Sequence, residues 1–220
     1  MQKLILSILL GIFVVIGTSN FKQAHSAGES VNKPHYEIIK IKSETGNENL
    51  AAYFDGKSNQ AVIFIPGAVF NKESWFFLAE HLQQMNIASL SLDGKTQDDV
   101  LAAINFLKNK DLNNITLVGG SMGGAAILGA LEKRTDESVN KVIVLAPSGG
   151  NPVKSKKIKK LFIIVKEDRL GIYPNVKRLY KDSSEPKKIV EFEGSEHAQH
   201  LFKSSHKEKL SNLIVDFISE

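Results

Sequence analysis

The chain of 220 residues is long enough for one globular domain with an N-terminal appendage, and its 42% hydrophobic and 24% charged residues are ordinary for such a fold. It contains no cysteine, which excludes disulfides, thiolate metal sites and a cysteine nucleophile. A formal net charge of +4 is too small to indicate a nucleic-acid-binding protein.

The first 26 residues have the layout of a secretory signal peptide. Lys3 supplies a positive start, residues 4–16 form an apolar run, and small and polar residues follow. This run is short for a membrane-spanning helix. We predict cleavage after Ser26, with Ala24 at the −3 position, followed by a flexible tether over 27–35. The expected location is therefore secreted or periplasmic; the alternative is an uncleaved leader that ties the protein to a membrane.

From residue 36 onward, apolar strand patterns alternate with helical patterns, which predicts a mainly parallel sheet flanked by helices. The first two strands have no helix between them, so we expect an antiparallel edge there. A single domain over 36–220, with about eight strands, accounts for the whole pattern. The predicted strands are 36–42, 50–54, 61–66, 87–92, 115–119, 141–146, 161–166 and 188–192, and the predicted helices are 73–85, 96–109, 122–133, 173–181 and 205–218.

A glycine-rich turn around one serine stands between a predicted strand and a predicted helix. Gly119 to Gly123 read GGSMG and fit G-x-S-x-G, the nucleophile-elbow pattern, in the strand–turn–helix context that it requires. Such a turn strains the serine backbone and brings neighbouring chains close, which glycines permit. At the helix N-terminus, the N–H of Met122 is placed to bind an oxyanion. A phosphate loop is disfavoured because its spacing is absent; a non-catalytic turn serine is the remaining alternative.

A serine hydroxyl needs a general base, and the base needs an orienting acid. In folds with this elbow they follow in the order serine, acid, histidine, each after a later strand. Glu167 and Asp168 directly follow the strand at 161–166, and a loop carrying His197 follows the strand at 188–192.

The segments GGSMGG, IIVKEDRLG and FEGSEHAQHLF, in this order and spacing, resemble the α/β-hydrolase family. The resemblance covers nearly all of 36–220 and is closest to small esterase and dienelactone-hydrolase-like members. It implies that Ser121 is the nucleophile, Asp168 the acid and His197 the base.

The segment IFIPGAVF resembles the oxyanion segment of that family, in which His-Gly is commoner than the Pro66-Gly67 found here. The resemblance implies that the backbone N–H of Ala68 is the second oxyanion donor, with Val69 as its substitute. Since the donor belongs to the backbone, the missing histidine does not alter the chemistry.

Two of these roles have a competitor in the sequence. Glu167 stands beside Asp168, which is preferred because the family acid at this point is usually aspartate. His200 follows His197 but is expected to begin the last helix. The histidines of HAQHLFKSSH lack nearby acids that would complete a metal site. No metal and no other cofactor is expected.

Only residues 147–160 separate two predicted strands at the point where the family often inserts a lid. We therefore expect no cap domain and an open site, with the basic loop 154–160 at its rim. The resemblance implies an exported serine hydrolase that cleaves an ester or related acyl bond of a small substrate through an acyl-enzyme. A peptidase or thioesterase on the same triad and an inactive hydrolase-like binding protein are the alternatives, and the sequence does not indicate an oligomeric state.

Overall fold

An eight-stranded sheet runs through the part of the chain that the computed structural model describes, residues 35–134 and 136–220. The predicted signal peptide and all but the last residue of the predicted tether lie outside the described residues. In chain order the strands are β1 (Tyr36–Lys42), β2 (Glu48–Phe54), β3 (Gln60–Ile65), β4 (Ala88–Leu92), β5 (Asn114–Gly120), β6 (Val139–Leu145), β7 (Lys159–Val165) and β8 (Lys187–Phe192).

Helices connect most of these strands. The α-helices of the described ranges are α1 (Phe76–Gln84), α2 (Gln97–Lys108), α3 (Met122–Lys133), α4 (Tyr173–Asp182) and α5 (Lys207–Ser219). Two 3₁₀ segments, Lys72–Trp75 and Ala198–Lys203, accompany them. Helix α2 packs beside α3, and α1 beside α5. None of the helices in the described ranges is long and apolar enough to cross a membrane.

The strand order across the sheet is β1-β2-β4-β3-β5-β6-β7-β8. Strand β1 is antiparallel to β2, β2 is antiparallel to β4, and every pair from β4 through β8 is parallel. This confirms the predicted mainly parallel sheet with an antiparallel edge. The physical reason lies in the connections, because a tight turn at Ser43–Asn47 can only reverse the chain, whereas a helical crossover returns it in the same direction.

The central strands are buried on both faces, as their apolar runs predict. All five residues of β4 are buried, and the inward and outward side chains of β3, β5, β6 and β7 are almost all buried as well. Because these strands are parallel, their carboxyl ends meet at one edge of the sheet. In such sheets that edge is where ligands bind.

Helix α2 begins where the sequence predicts. The Oγ1 atom of Thr96 accepts a hydrogen bond from the Asp99 N–H at 3.2 Å, and Asp99 Oδ2 accepts one from the Thr96 N–H at 2.9 Å. This reciprocal capping box satisfies backbone donors that the helix itself leaves free.

Two predicted helices differ from the structure at their ends. The first turn of the helix predicted at 73–85 is the 3₁₀ segment Lys72–Trp75, and the last helix begins at Lys207 rather than at 205. His200, expected to begin that last helix, lies instead in the 3₁₀ segment Ala198–Lys203. The prediction was wrong because tertiary contacts of this segment, described below, hold it in a tighter turn.

The segment between β6 and β7, residues 146–158, contains no helix or strand. The described chain therefore has no cap domain at this point, as the short spacing predicts. The basic residues 154–160 were expected at the rim of the site, and this prediction was wrong, because they lead into the amino end of β7 and so lie at the opposite edge from the carboxyl ends of the strands. His35, the first described residue, lies near the amino ends of the parallel strands. Its N–H donates to Gln83 Oε1 at 3.1 Å, and its carbonyl accepts from Gln83 Nε2 at 2.7 Å.

The first turn of α3 lies against the carboxyl end of β3 with no room for a side chain. A Cβ atom on Gly123 would lie 2.3 Å from the Ile65 carbonyl oxygen and 2.8 Å from that of Pro66. A Cβ on Gly119 would lie 2.7 Å from the Gly123 backbone carbon. These two glycines therefore permit a helix–sheet approach that no other residue type allows.

We expect Gly123→Ala to destabilise the fold by about 1–3 kcal/mol, the usual cost of inserting a methyl group into a filled space. Gly149→Ala is the matched control, because a Cβ at position 149 meets nothing within 4 Å. Thermal and urea unfolding of both variants measure the difference. Equal stability of the two variants would contradict the close contact between α3 and β3.

Candidate active site

Ser121 occupies the sharp turn between β5 and α3. Its backbone has φ 50° and ψ −114°, a left-handed conformation that costs a non-glycine residue about 1–3 kcal/mol. Three backbone hydrogen bonds hold it there. The Ser121 N–H donates to Leu145 O at 2.9 Å, and the Ser121 carbonyl accepts from Ala125 N–H at 3.0 Å and Ser148 N–H at 3.1 Å. These bonds to β6, to α3 and to the loop after β6 maintain the strained conformation, and this conformation directs the hydroxyl outward.

A continuous chain of two hydrogen bonds joins Ser121, His197 and Asp168. The His197 Nε2 atom lies 2.7 Å from Ser121 Oγ, and His197 Nδ1 lies 2.8 Å from Asp168 Oδ2. A carboxylate can only accept, so Nδ1 carries the proton and Nε2 is left free to accept the proton of the serine hydroxyl. This is the arrangement that general-base activation of a serine requires.

The acid and the base are almost completely removed from water. The Asp168 side chain is 0% exposed and the His197 side chain is 7% exposed. The second carboxylate oxygen, Asp168 Oδ1, accepts a hydrogen bond from the Leu170 N–H at 2.9 Å. With a partner on each oxygen, the buried carboxylate holds a fixed orientation towards the imidazole.

The fold brings these three residues together from distant parts of the chain. Ser121 follows β5, Asp168 follows β7 and His197 follows β8, so all three lie at the carboxyl edge of the parallel strands. Ala198, directly after the histidine, has φ +47° and so reverses the chain sharply at this point.

The two competitors from the sequence do not join this chain of hydrogen bonds. Glu167 is exposed, and its backbone N–H bonds to Gly194 O. The His200 ring packs edge-to-face on Phe70, with ring centroids 4.9 Å apart. Burial lowers the pKa of His200, and the nearby charges of Arg169 and Lys203 lower it further, so this imidazole is neutral at neutral pH.

The two proposed oxyanion donors, Met122 and Ala68, are backbone N–H groups at the carboxyl ends of β5 and β3. Met122 is the first residue of α3, so its N–H has no acceptor within the helix. Ala68 and Val69 are the central residues of a turn closed by a bond from Phe70 N–H to Gly67 O at 3.0 Å. Within residues 35–134 and 136–220, the Ala68 N–H donates no hydrogen bond to another residue.

One buried side chain at this edge was missed by the sequence reasoning. Gln199 is 2% exposed, and its amide bonds to the Gly67 N–H and to Ser74 Oγ. A glutamine two residues after a histidine carries no recognisable signal. The available hint was Gly120, a glycine that the G-x-S-x-G pattern does not require.

Three exposed apolar side chains belong to the segments that form the site. They are Val69, Met122 and Leu170, with 79%, 43% and 59% of their surface exposed. Each is next to, or two residues from, a residue placed at the site. Among the described residues, no group of three or more His, Asp or Glu side chains is arranged to hold a metal ion.

Comparison with known proteins gives a partial sequence match and an extensive structural one. No family model matches the chain. A protein of Mycoplasma genitalium named "Putative esterase/lipase 3" is 39% identical over 84 residues, which are 38% of this chain and 29% of that protein. The match thus spans less than a third of the length of this curated relative.

Solved structures match over most of the described chain. An esterase from Exiguobacterium antarcticum superposes with a TM-score of 0.69 at 12% identity, covering 84% of this chain and 100% of that one. An esterase from Pyrococcus furiosus superposes with a TM-score of 0.68 at 16% identity, covering 84% and 91%. Identities this low establish the architecture and not the activity. The chain has the α/β-hydrolase fold.

Proposed function

We propose that this protein is a serine hydrolase that cleaves the ester bond of a small acyl substrate. The observation that carries the proposal is the hydrogen-bond chain from Ser121 Oγ through His197 to Asp168, with distances of 2.7 and 2.8 Å. A structural serine in a turn needs neither a buried imidazole nor a buried carboxylate behind it. Burying both groups is costly unless they are paired, so the arrangement is best explained by its chemistry.

In the proposed reaction, His197 takes the hydroxyl proton as Ser121 Oγ attacks the carbonyl carbon. The N–H groups of Met122 and Ala68 then donate hydrogen bonds to the oxyanion of the tetrahedral intermediate, each contributing about 2.7–4 kcal/mol to transition-state binding. The imidazolium gives its proton to the leaving alcohol, and an acyl-enzyme remains. Water, deprotonated by His197, hydrolyses this ester, while Asp168 stabilises the imidazolium in both halves of the cycle.

The surroundings of Ser121 favour small acyl substrates. The loop at 146–158 provides no cap, and Ser121 is half-buried next to the exposed Met122. The exposed side chains of Val69, Met122 and Leu170 offer apolar surface that an acyl chain can cover. The names of the similar proteins, several of them esterases, support an ester as the bond cleaved.

The triad assignment predicts a large loss of activity when any of its three residues is changed. Ser121→Ala should abolish labelling by a fluorophosphonate probe, and Ser121→Ala, His197→Gln and Asp168→Asn should each lower kcat for an aryl ester by about 10⁴-fold or more. Glu167→Gln and His200→Gln, which change the two competitors, are the matched controls and should stay within a few-fold of the wild type. If Glu167→Gln lost most of its activity while Asp168→Asn stayed active, Glu167 would be the acid. The same result for His200→Gln and His197→Gln would make His200 the base.

A substrate panel separates the proposal from its rivals. Aryl esters of increasing chain length, matched thioesters and peptide anilides would be compared by kcat/KM on the wild type. We expect short-chain esters to rank first. A folded wild type that neither reacts with the probe nor hydrolyses any of these compounds would identify an inactive hydrolase-like binding protein instead.

Export is a separate proposal, since it depends on residues outside the described part of the chain. We propose that the leader is removed after Ser26. Expression in a bacterial host should yield a protein that begins at Ala27, as measured by intact mass and N-terminal sequencing. Ala24→Arg should block processing because the −3 position must be small, and Ser30→Arg is the control beyond the cut. A full-length, membrane-retained wild type would contradict cleavage.

A further inference from the structure

We propose that Gln199 is a positioning residue that holds the turn Gly67–Phe70, and with it the Ala68 N–H, in place to receive the oxyanion. The catalytic part of this inference rests on the proposed function. The mechanical part, that one side chain fixes the turn, depends only on the contacts of Gln199.

The Gln199 amide ties together the two ends of the segment that follows β3. Its Oε1 atom accepts a hydrogen bond from the Gly67 N–H at 2.6 Å, and its Nε2 donates to Ser74 Oγ at 2.7 Å. Ser74 Oγ in turn donates to the Asn71 carbonyl at 2.6 Å. Because the Gly67 N–H can only donate, the orientation of the amide is fixed by its partners.

Two glycines make space for this side chain. A Cβ on Gly120 would lie 3.1 Å from Gln199 Cγ and Oε1, and a Cβ on Gly67 would lie 3.3 Å from Oε1. Gln199 therefore fills the narrow space between the oxyanion turn and the residue that precedes Ser121. Its 2% exposure leaves no room for water to replace it.

Gln199 also links the oxyanion turn to the general base. It stands two residues after His197, and between them Ala198 adopts φ +47°. The following turn is closed by a bond from His200 N–H to His197 O at 3.0 Å. One short segment, 197–199, thus directs the imidazole to Ser121 Oγ and the side-chain amide to Gly67. The backbone of this segment therefore sets the spacing between the general base and the oxyanion turn.

Pro66, which lies against Gly123, and Phe70, which packs on the His200 ring, also hold the ends of the turn, whereas its tip is exposed. Ala68 and Val69 are at its tip, and Val69 is 79% exposed. The turn's internal bond, Phe70 N–H to Gly67 O, fixes its shape but not its position relative to Ser121. An oxyanion donor acts only when it lies within hydrogen-bond distance of the developing charge. The bond between Gly67 and Gln199 supplies that constraint.

The test compares Gln199→Met, which keeps the length but removes both polar atoms, with Gln84→Met, an exposed glutamine as matched control. Three measurements are made on the full protein: thermal unfolding, kcat and KM for an aryl ester, and amide hydrogen exchange of peptides covering 64–74. We expect Gln199→Met to lose exchange protection at Gly67 and neighbouring amides. We also expect kcat to fall about 10–100-fold, less than complete removal of a donor, with KM within about 3-fold.

Ser74→Ala keeps the inference testable if Gln199→Met does not fold. This substitution removes the partner of Nε2 and leaves Gln199 itself intact, so a smaller loss of protection and of kcat is expected. In the double variant the Ser74 substitution should add little to the Gln199 effect, since both act through one side chain.

The outcomes separate this inference from the proposed function. Wild-type exchange and wild-type kcat in folded Gln199→Met would overturn the inference while leaving the hydrolase intact. Faster amide hydrogen exchange in Gln199→Met with an unchanged kcat would overturn only the catalytic part of the inference. An inactive wild type would overturn the proposed function and that catalytic part together, while the exchange data would still decide whether Gln199 holds the turn.

Discussion

The contact between the first turn of α3 and the carboxyl end of β3 is the constraint on which the site depends. With Gly123 in direct contact with the Ile65 and Pro66 carbonyls, the helix start cannot move relative to the strand. Ser121 lies at that helix start, and the oxyanion turn continues from that strand. The same backbone contact therefore holds the nucleophile close to the start of the segment that carries one proposed oxyanion donor, and the Gln199 side chain sets the position of the turn itself.

Side-chain hydrogen bonds between the later segments of the chain complete the site. The Asp168 carboxylate and the His197 imidazole are buried. One oxygen of Asp168 bonds to His197 and the other to the Leu170 N–H, while the second nitrogen of His197 bonds to Ser121 Oγ. Gln199 provides a second polar connection, from the histidine segment to the turn at Gly67. The Asp168, His197 and Gln199 side chains each have a hydrogen-bond partner, which is the condition under which burial of such groups is tolerated in a core.

The sequence predicts the parts of this arrangement that are local. Continuous apolar runs mark strands buried on both faces, and the helical pattern over 96–109 marks α2 to within one residue at each end. The elbow at Ser121 is also local, since its glycines and its flanking elements are contiguous. The order of strands located the two segments, but Asp168 was preferred to Glu167 only through the resemblance to a known family. His197 was preferred to His200 because His200 was expected to begin the last helix, which it does not.

The parts that the sequence does not predict depend on contacts between remote segments. The bond between Gly67 and Gln199 joins residues 132 positions apart, so no spacing rule contains it. The 3₁₀ segment Ala198–Lys203 was expected to be loop and helix start, yet Gln199 and Leu201 are buried there and hold it in a tighter turn. The G-x-S-x-G pattern does not account for Gly120 for the same reason, because the side chain that occupies its space is that of the remote Gln199.

Two hydrogen bonds between His35 and Gln83 fix the point at which the described chain enters the domain. Tyr36 pairs with Phe54, and Phe54 pairs with Ser89 near the start of β4, so the chain enters at the amino ends of the parallel strands. Ser121 opens at the opposite edge. The first described residues and the nucleophile therefore lie at opposite ends of the parallel strands, separated by the length of the buried central strands.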